Sequence, residues 1–167
     1  MMRAAPLAVV LLGLNQPIYA QVTPAQFVDQ NWVVSETTSP VDYSPLIMAT
    51  NLSRPSAKDG PASLIIRCRG KRAELALTTN GSWGPANFKR VTYQINDQSP
   101  VQQGWTPSPD GRSATLRTDV IGFVRALPDT GYVLIRVYGS EAVPYETTFQ
   151  LSGLGAVRRR LAVCTEN

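Results

Sequence analysis

The chain has 167 residues, 16 of them basic and 12 acidic, for a net charge of +4, with two cysteines and no histidine. Lack of histidine excludes Ser-His-Asp and Cys-His catalysis and removes the commonest general base and metal ligand, and two cysteines alone cannot complete a structural zinc site. So small a basic excess gives no ground for a nucleic-acid partner, and none is expected.

Met1, Met2 and Arg3 form a short basic start, and the stretch from Ala4 to Leu14 is apolar apart from Pro6 and Gly13. Asn15-Gln16-Pro17 then leads to Ile18-Tyr19-Ala20, the layout of a secretory signal with cleavage after Ala20. The apolar run is shorter than the roughly 20 residues that a bilayer span requires. Residues 1–20 are therefore expected to be a signal peptide, and 21–167 a single soluble β-rich domain, periplasmic or secreted.

Past that segment the chain reads as strands punctuated by turns. Residues 31–35 form a short strand, 40–45 a proline-bounded loop, 46–52 a second strand and 54–61 a solvated hairpin loop. In 63–69 a period of two puts Leu64, Ile66 and Cys68 on one face, and Ile65, Arg67 and Arg69 on the other. Gly70-Lys71-Arg72 is a tight turn into a strand over 73–78, which completes a hairpin. Asn80-Gly81 marks a turn, and a longer loop runs through 82–85.

Val91, Tyr93 and Ile95 share one side of a strand over 90–96, and Asp110-Gly111 turns into another over 113–117. Helical spacing follows in Val120, Ile121, Phe123, Val124 and Leu127, with Thr118 or Asp119 placed to cap it. The last elements are strands over 132–138 and 145–151 and a short helix over 153–163, capped by Ser152 and carrying Cys164 at its end. The architecture expected is mainly β: a single antiparallel β sandwich or bent sheet with two short helices.

In an oxidising compartment Cys68 and Cys164 are expected to form a disulfide rather than two separate buried thiols. Such a bond closes a long loop, an effect of roughly 4–5 kcal/mol. No cofactor is expected, and Gly70-Lys71, which lacks the upstream glycine spacing of a phosphate loop, reads as a plain turn. Glu74, Asp97, Asp110 and Asp119 could in principle pair for glycoside hydrolysis, but each sits where turns, strand faces or caps ordinarily hold acids. Trp32, Trp83 and Trp105 read as core or loop anchors. No catalytic constellation stands out.

Two basic clusters remain, Arg67/Arg69/Lys71/Arg72 and Arg158-Arg159-Arg160. Such runs are most often solvated faces. A Cys68–Cys164 bond would hold the two Cα atoms about 5–6 Å apart, which brings both clusters to one side of the molecule on this reading. Arg67, Arg69 and Arg159 are then the candidate surface for an anionic partner.

Several pieces occur in a familiar order. Trp32 with Ser35 and Ser39-Pro40 comes first, then Leu64-Ile65-Ile66-Arg67-Cys68-Arg69 with Glu74-Leu75. Val91-Thr92-Tyr93-Gln94-Ile95-Asn96-Asp97, Trp105-Thr106-Pro107-Ser108, and Phe149-Gln150-Leu151-Ser152-Gly153-Leu154 ahead of Cys164 complete the set. In this order the chain resembles the VasI/TagO family of type VI secretion-associated periplasmic proteins. Gln94 stands where that pattern leads one to expect an arginine, and Thr165-Glu166-Asn167 lacks an aromatic after the last cysteine. The resemblance implies an exported accessory or interaction protein whose partners are envelope or secretion-system proteins, with no catalytic residues to carry over. The alternatives are a secreted binder or inhibitor of an envelope polymer or hydrolase, and a small hydrolase using carboxylates.

Overall fold

A computed structural model describes residues 24–54, 61–81, 83, 90–139 and 144–164. The expected signal peptide, and most of the loops expected at 54–61 and 82–85, lie outside the described residues. Eleven strands are described. They are β1 (Ala25–Asp29), β2 (Trp32–Thr38), β3 (Pro45–Leu52), β4 (Ser63–Arg69), β5 (Arg72–Thr78), β6 (Arg90–Ile95), β7 (Val101–Gln103), β8 (Thr106–Pro107), β9 (Ser113–Leu116), β10 (Tyr132–Tyr138) and β11 (Tyr145–Gln150). With them come helices α1 (Val120–Ala126) and α2 (Leu154–Leu161), and a 3₁₀ turn over Ala162–Cys164.

All strand pairs are antiparallel. One sheet has seven strands in the order β1-β2-β3-β4-β5-β9-β8, and the other has four in the order β11-β10-β6-β7. The expectation of a mainly β, antiparallel chain with two short helices is met. Three strands escape the sequence pattern because they bury too little to alternate. β1 is almost wholly exposed, β7 has three residues, and β8 carries a proline at a sheet edge, where no ladder N–H is required.

The core follows from the period of two. Trp32, Val34, Ile47, Ala49, Leu64, Ile66, Cys68, Leu75 and Leu77 bury the inner face of the large sheet. Val91, Val133, Ile135, Val137 and Phe149 answer from the small one, and all of them share one cluster with both helices. A buried amide ties the sheets together, with Asn51 Nδ2 donating to the Gln150 carbonyl at 2.6 Å. Helix α1 buries Val120, Phe123 and Val124, with Phe123 set edge-on to Tyr93 at 4.8 Å. Asp119 is its cap and accepts from the Gly122 N–H at 3.2 Å.

Helix α2 starts differently from the expectation. Its cap is Gly153, not Ser152, and no side chain bonds its first turn. Gly153 takes φ 94°, and a Cβ there would strike the Asp29 carbonyl at the β1–β2 turn. Ser152 instead accepts through its carbonyl from Asn31, at 3.5 Å from the backbone N and 3.4 Å from Nδ2. The helix is thereby pressed against the first strands, with Leu154, Val157 and Leu161 buried. At the far end Cys164 meets Cys68 at disulfide distance, with Cα atoms 6.1 Å apart and 96 residues between them in sequence.

Candidate functional site

Strand β4 does two things at once. Cys68 and its inner neighbours Leu64 and Ile66 are buried, so Arg67 and Arg69 must project from the opposite, outer face of the seven-stranded sheet. The register then sets their surroundings. Ser35, Met48, Arg67 and Glu74 stand in one transverse row across β2–β5, and Thr37, Leu46, Arg69 and Arg72 stand in the next. Each row passes from a hydroxyl through an apolar side chain to charge.

These rows line an open trough of about 810 Å³ whose cations, among the described residues, are Arg67, Arg69, Lys71, Arg72 and Arg117 and whose acid is Glu74. Leu46 and Met48 form its apolar floor, and Met48 is 43% exposed. Arg69 pairs directly across the ladder with Arg72 because Gly70 and Lys71 form a two-residue turn. Gly70 supplies the positive φ, 55°, that the turn requires. Like charges directly opposite one another are destabilising by themselves.

Glu74 relieves part of the trough only. Its carboxylate accepts from Arg67 Nη1 at 2.9 Å and lies 3.6 Å from Arg117 Nε. Among the described residues Arg69, Lys71 and Arg72 have no ion pair. At one end the loop over 39–44 meets the 70–71 turn, where the Gly70 N–H donates to the Pro45 carbonyl at 3.1 Å. In that loop Asp42 accepts from the Ser44 hydroxyl at 2.8 Å and the Ser44 N–H at 3.2 Å. Hydrogen bonding from Ser39, then from Ser44, holds the Asp42 carboxyl down at about 2, with a smaller Coulombic effect from Arg69.

The predicted surface residues are not all brought together. Arg67 and Arg69 share the trough, but Arg159 does not join them. Helix α2 packs on the inner face of the sheet, the face of Cys68, and the exposed Arg159 points away from that core. A disulfide brings Cα atoms close, yet alternation along β4 sends the arginines beside Cys68 to the other side. The neighbours of Arg159 serve the fold. Arg158 donates to the Val124 carbonyl at 3.1 Å, to the Leu127 carbonyl and to Asp129 at 2.8 Å, closing the C-terminal end of α1. Arg160 pairs with Glu36 and lies 3.9 Å over the Phe27 ring.

The four carboxylates weighed for hydrolysis are each held locally. Only Glu74 lines the trough. Asp97 accepts from the Tyr132 hydroxyl at 3.1 Å, which raises the phenol's pKa. Asp110 accepts from Ser108 and the Arg112 N–H, which lowers its own. Asp119 caps α1. Trp32 and Trp105 are buried in the core, and Trp83 packs against it beside Tyr145 at 5.9 Å.

Within the trough Ser35 stands three strands from Glu74, about 14 Å at the usual spacing, and Thr37 in the next row stands farther still, so among the described lining residues neither hydroxyl has a carboxylate to take its proton. What the arrangement offers is guanidinium forks over an apolar floor, which is the chemistry of binding carboxylates or phosphates. Among the described residues no group of acids and cysteines could hold a metal ion, and no helix is long and apolar enough to cross a membrane. Comparison with protein-family profiles, curated proteins and solved structures finds no significant match.

Arg117 and the β2–β3 wall of the trough are the site residues that sequence reasoning missed. Arg117 reaches Glu74 only because β9 pairs with β5 from across the intervening segment, a pairing with no local signal.

Proposed function

We propose that this chain is an exported periplasmic accessory or interaction protein, a binding module that acts through the outer face of its large sheet. The observation that carries this reading is the trough, where, among the described residues, three of five cations have no ion pair and lie beside exposed apolar surface. A face built only for solvent would disperse or neutralise such charge. The resemblance to the VasI/TagO family of type VI secretion-associated proteins supports the same reading. The Leu64-Ile65-Ile66-Arg67-Cys68-Arg69 segment that carries it lies on the strand that supplies two of the trough arginines and the inner cysteine.

Fractionation and crosslinking test it. The mature protein should begin near Gln21 and partition with the periplasm, and crosslinks from Met48 and Thr37 should reach envelope components of a secretion machine. An intact Met1 in the cytoplasm, or crosslinks confined to other faces, would remove this reading. A second reading, a secreted binder of an anionic envelope polymer, is favoured by the unpaired cations alone. Retention on the isolated polymer, with no protein crosslinks from the trough, would select it.

A further inference from the structure

We propose that the trough seats an extended segment of a partner protein that presents acidic side chains in alternation with apolar ones. This rests on the reading of the chain as an interaction module and names what that module recognises. Charge complementarity is the first argument. Among the described residues five cations and one acid line a single open depression, and that acid is already engaged by Arg67 and Arg117.

Pitch is the second argument. Arg67 and Arg69 are two residues apart on one strand, about 6.6–6.8 Å. An extended peptide lying over the face repeats its own side chains of one sense at that interval, so acids at alternate positions meet both guanidiniums. The row structure supplies the complement, because Met48 and Leu46 stand one strand spacing from Arg67 and Arg69, in the same order. Laid edge-on along the seam between β3 and β4, a chain that alternates acids with apolar side chains sends the acids towards the arginine strip and the apolar ones, of opposite sense, towards Met48 and Leu46, and exposed methionine adapts to varied apolar partners.

Other polyanions fit less well. Among the described residues the trough lining contains no aromatic side chain, whereas single-stranded nucleic acids are held by stacking on aromatics. Polyphosphate offers charge without anything for Leu46 and Met48. A flat bilayer cannot follow a depression of this kind. Arg159, on the helix across the sheet, lies outside the site.

The test uses the full mature chain with its disulfide intact. A fluorescent peptide of alternating Leu and Glu is titrated at low and high salt, beside a Leu/Gln version, inorganic polyphosphate and anionic phospholipid vesicles. The acidic peptide should bind, lose affinity with salt, and shift NMR signals of Met48, Leu46 and the Arg67–Arg72 hairpin. Arg67→Glu with Arg69→Glu should weaken it at least tenfold while circular dichroism stays unchanged. Lys71→Glu with Arg72→Glu, on the exposed turn, gives an independent check should the first pair perturb the sheet. Replacing Arg159 with Glu should change affinity less than twofold.

Equal binding of the Leu/Gln peptide, signal shifts on another face, or full affinity in both charge-reversed variants would overturn the inference. So would tighter binding of polyphosphate or vesicles than of the peptide. Any of these alongside trough crosslinks to envelope proteins would leave the interaction-module reading standing. Peptide binding as expected in a protein that stays in the cytoplasm would instead sink the periplasmic role and keep the site.

Discussion

Asp42 is held ionised by the two serines that flank its loop, and its pKa of about 2 against an ordinary 3.8 has a definite sign for stability. A carboxyl lowered on folding stabilises the native state above its unfolded pKa, and that contribution disappears as pH falls from 3.8 towards about 2. NMR titration of the Asp42 carboxyl should give a midpoint near about 2 in the wild type, moving upward in Ser39→Ala. A midpoint unmoved by that change would show that Ser39 is not the leading cause.

The three consecutive arginines of α2 make a second comparison at the same scale. Arg158 bonds two carbonyls and Asp129, whereas Arg159 is exposed without an ion pair among the described residues. Arg158→Ala should therefore cost about 1–3 kcal/mol, and Arg159→Ala less than about 0.5 kcal/mol. Urea denaturation of the two variants reads the difference directly.

Elements show where sequence pattern is sufficient and where it is not. For Gly153 the structure adds a constraint that the pattern does not carry: its φ of 94° and its contact with the Asp29 carbonyl leave no room for a methyl group. Gly153→Ala should destabilise by at least about 1–2 kcal/mol, measurable as a lowered Tm, because helix and first hairpin must separate to admit it. Strand β4 is the opposite case. Its alternation is legible in full, but the turn expected over Gly70-Lys71-Arg72 is one residue shorter in the structure, so that Arg72 opens β5 directly opposite Arg69. Helix α1 was equally legible, including Asp119 as one of two candidate caps.

The readings that failed have two causes. The placing of Arg159 with Arg67 follows from Cα proximity taken without side-chain direction: with Cys68 on the inner face of β4, a bond to Cys164 already puts the end of α2 on the side away from Arg67. The place of Arg117 follows instead from β9 reaching β5, and β1 is an edge strand that buries too little to leave a period. Local periodicity specifies which way a side chain points from its own element. It does not specify which element lies opposite.

For the whole molecule, the Cys68–Cys164 pair matters because it joins a central strand to the last described residue. Closing a loop of that length restricts the unfolded chain, and its loss typically costs about 2–5 kcal/mol. The Cys68→Ser, Cys164→Ser double variant should unfold at correspondingly lower denaturant. A variant as stable as the wild type would mean that the core alone holds α2. Since Cys68 faces away from the trough, the variant should still bind the acidic peptide while it remains folded.

The meeting of α2 with the first two strands also sets the order in which the chain can finish. Glu36 and Arg160 touch across 124 residues, and Trp32 is buried beside the loop that starts α2. A nascent chain holds β1, β2 and β3 long before the segment that covers their inner face exists. Contacts so distant in sequence make for slow folding, on the order of milliseconds to seconds, and stopped-flow tryptophan fluorescence should show refolding in that range. A microsecond phase that recovers the full signal would contradict this. Until Leu154, Val157 and Leu161 arrive, apolar strand faces stand open to neighbouring chains, so the hazard in producing this protein is aggregation before completion rather than weakness once complete.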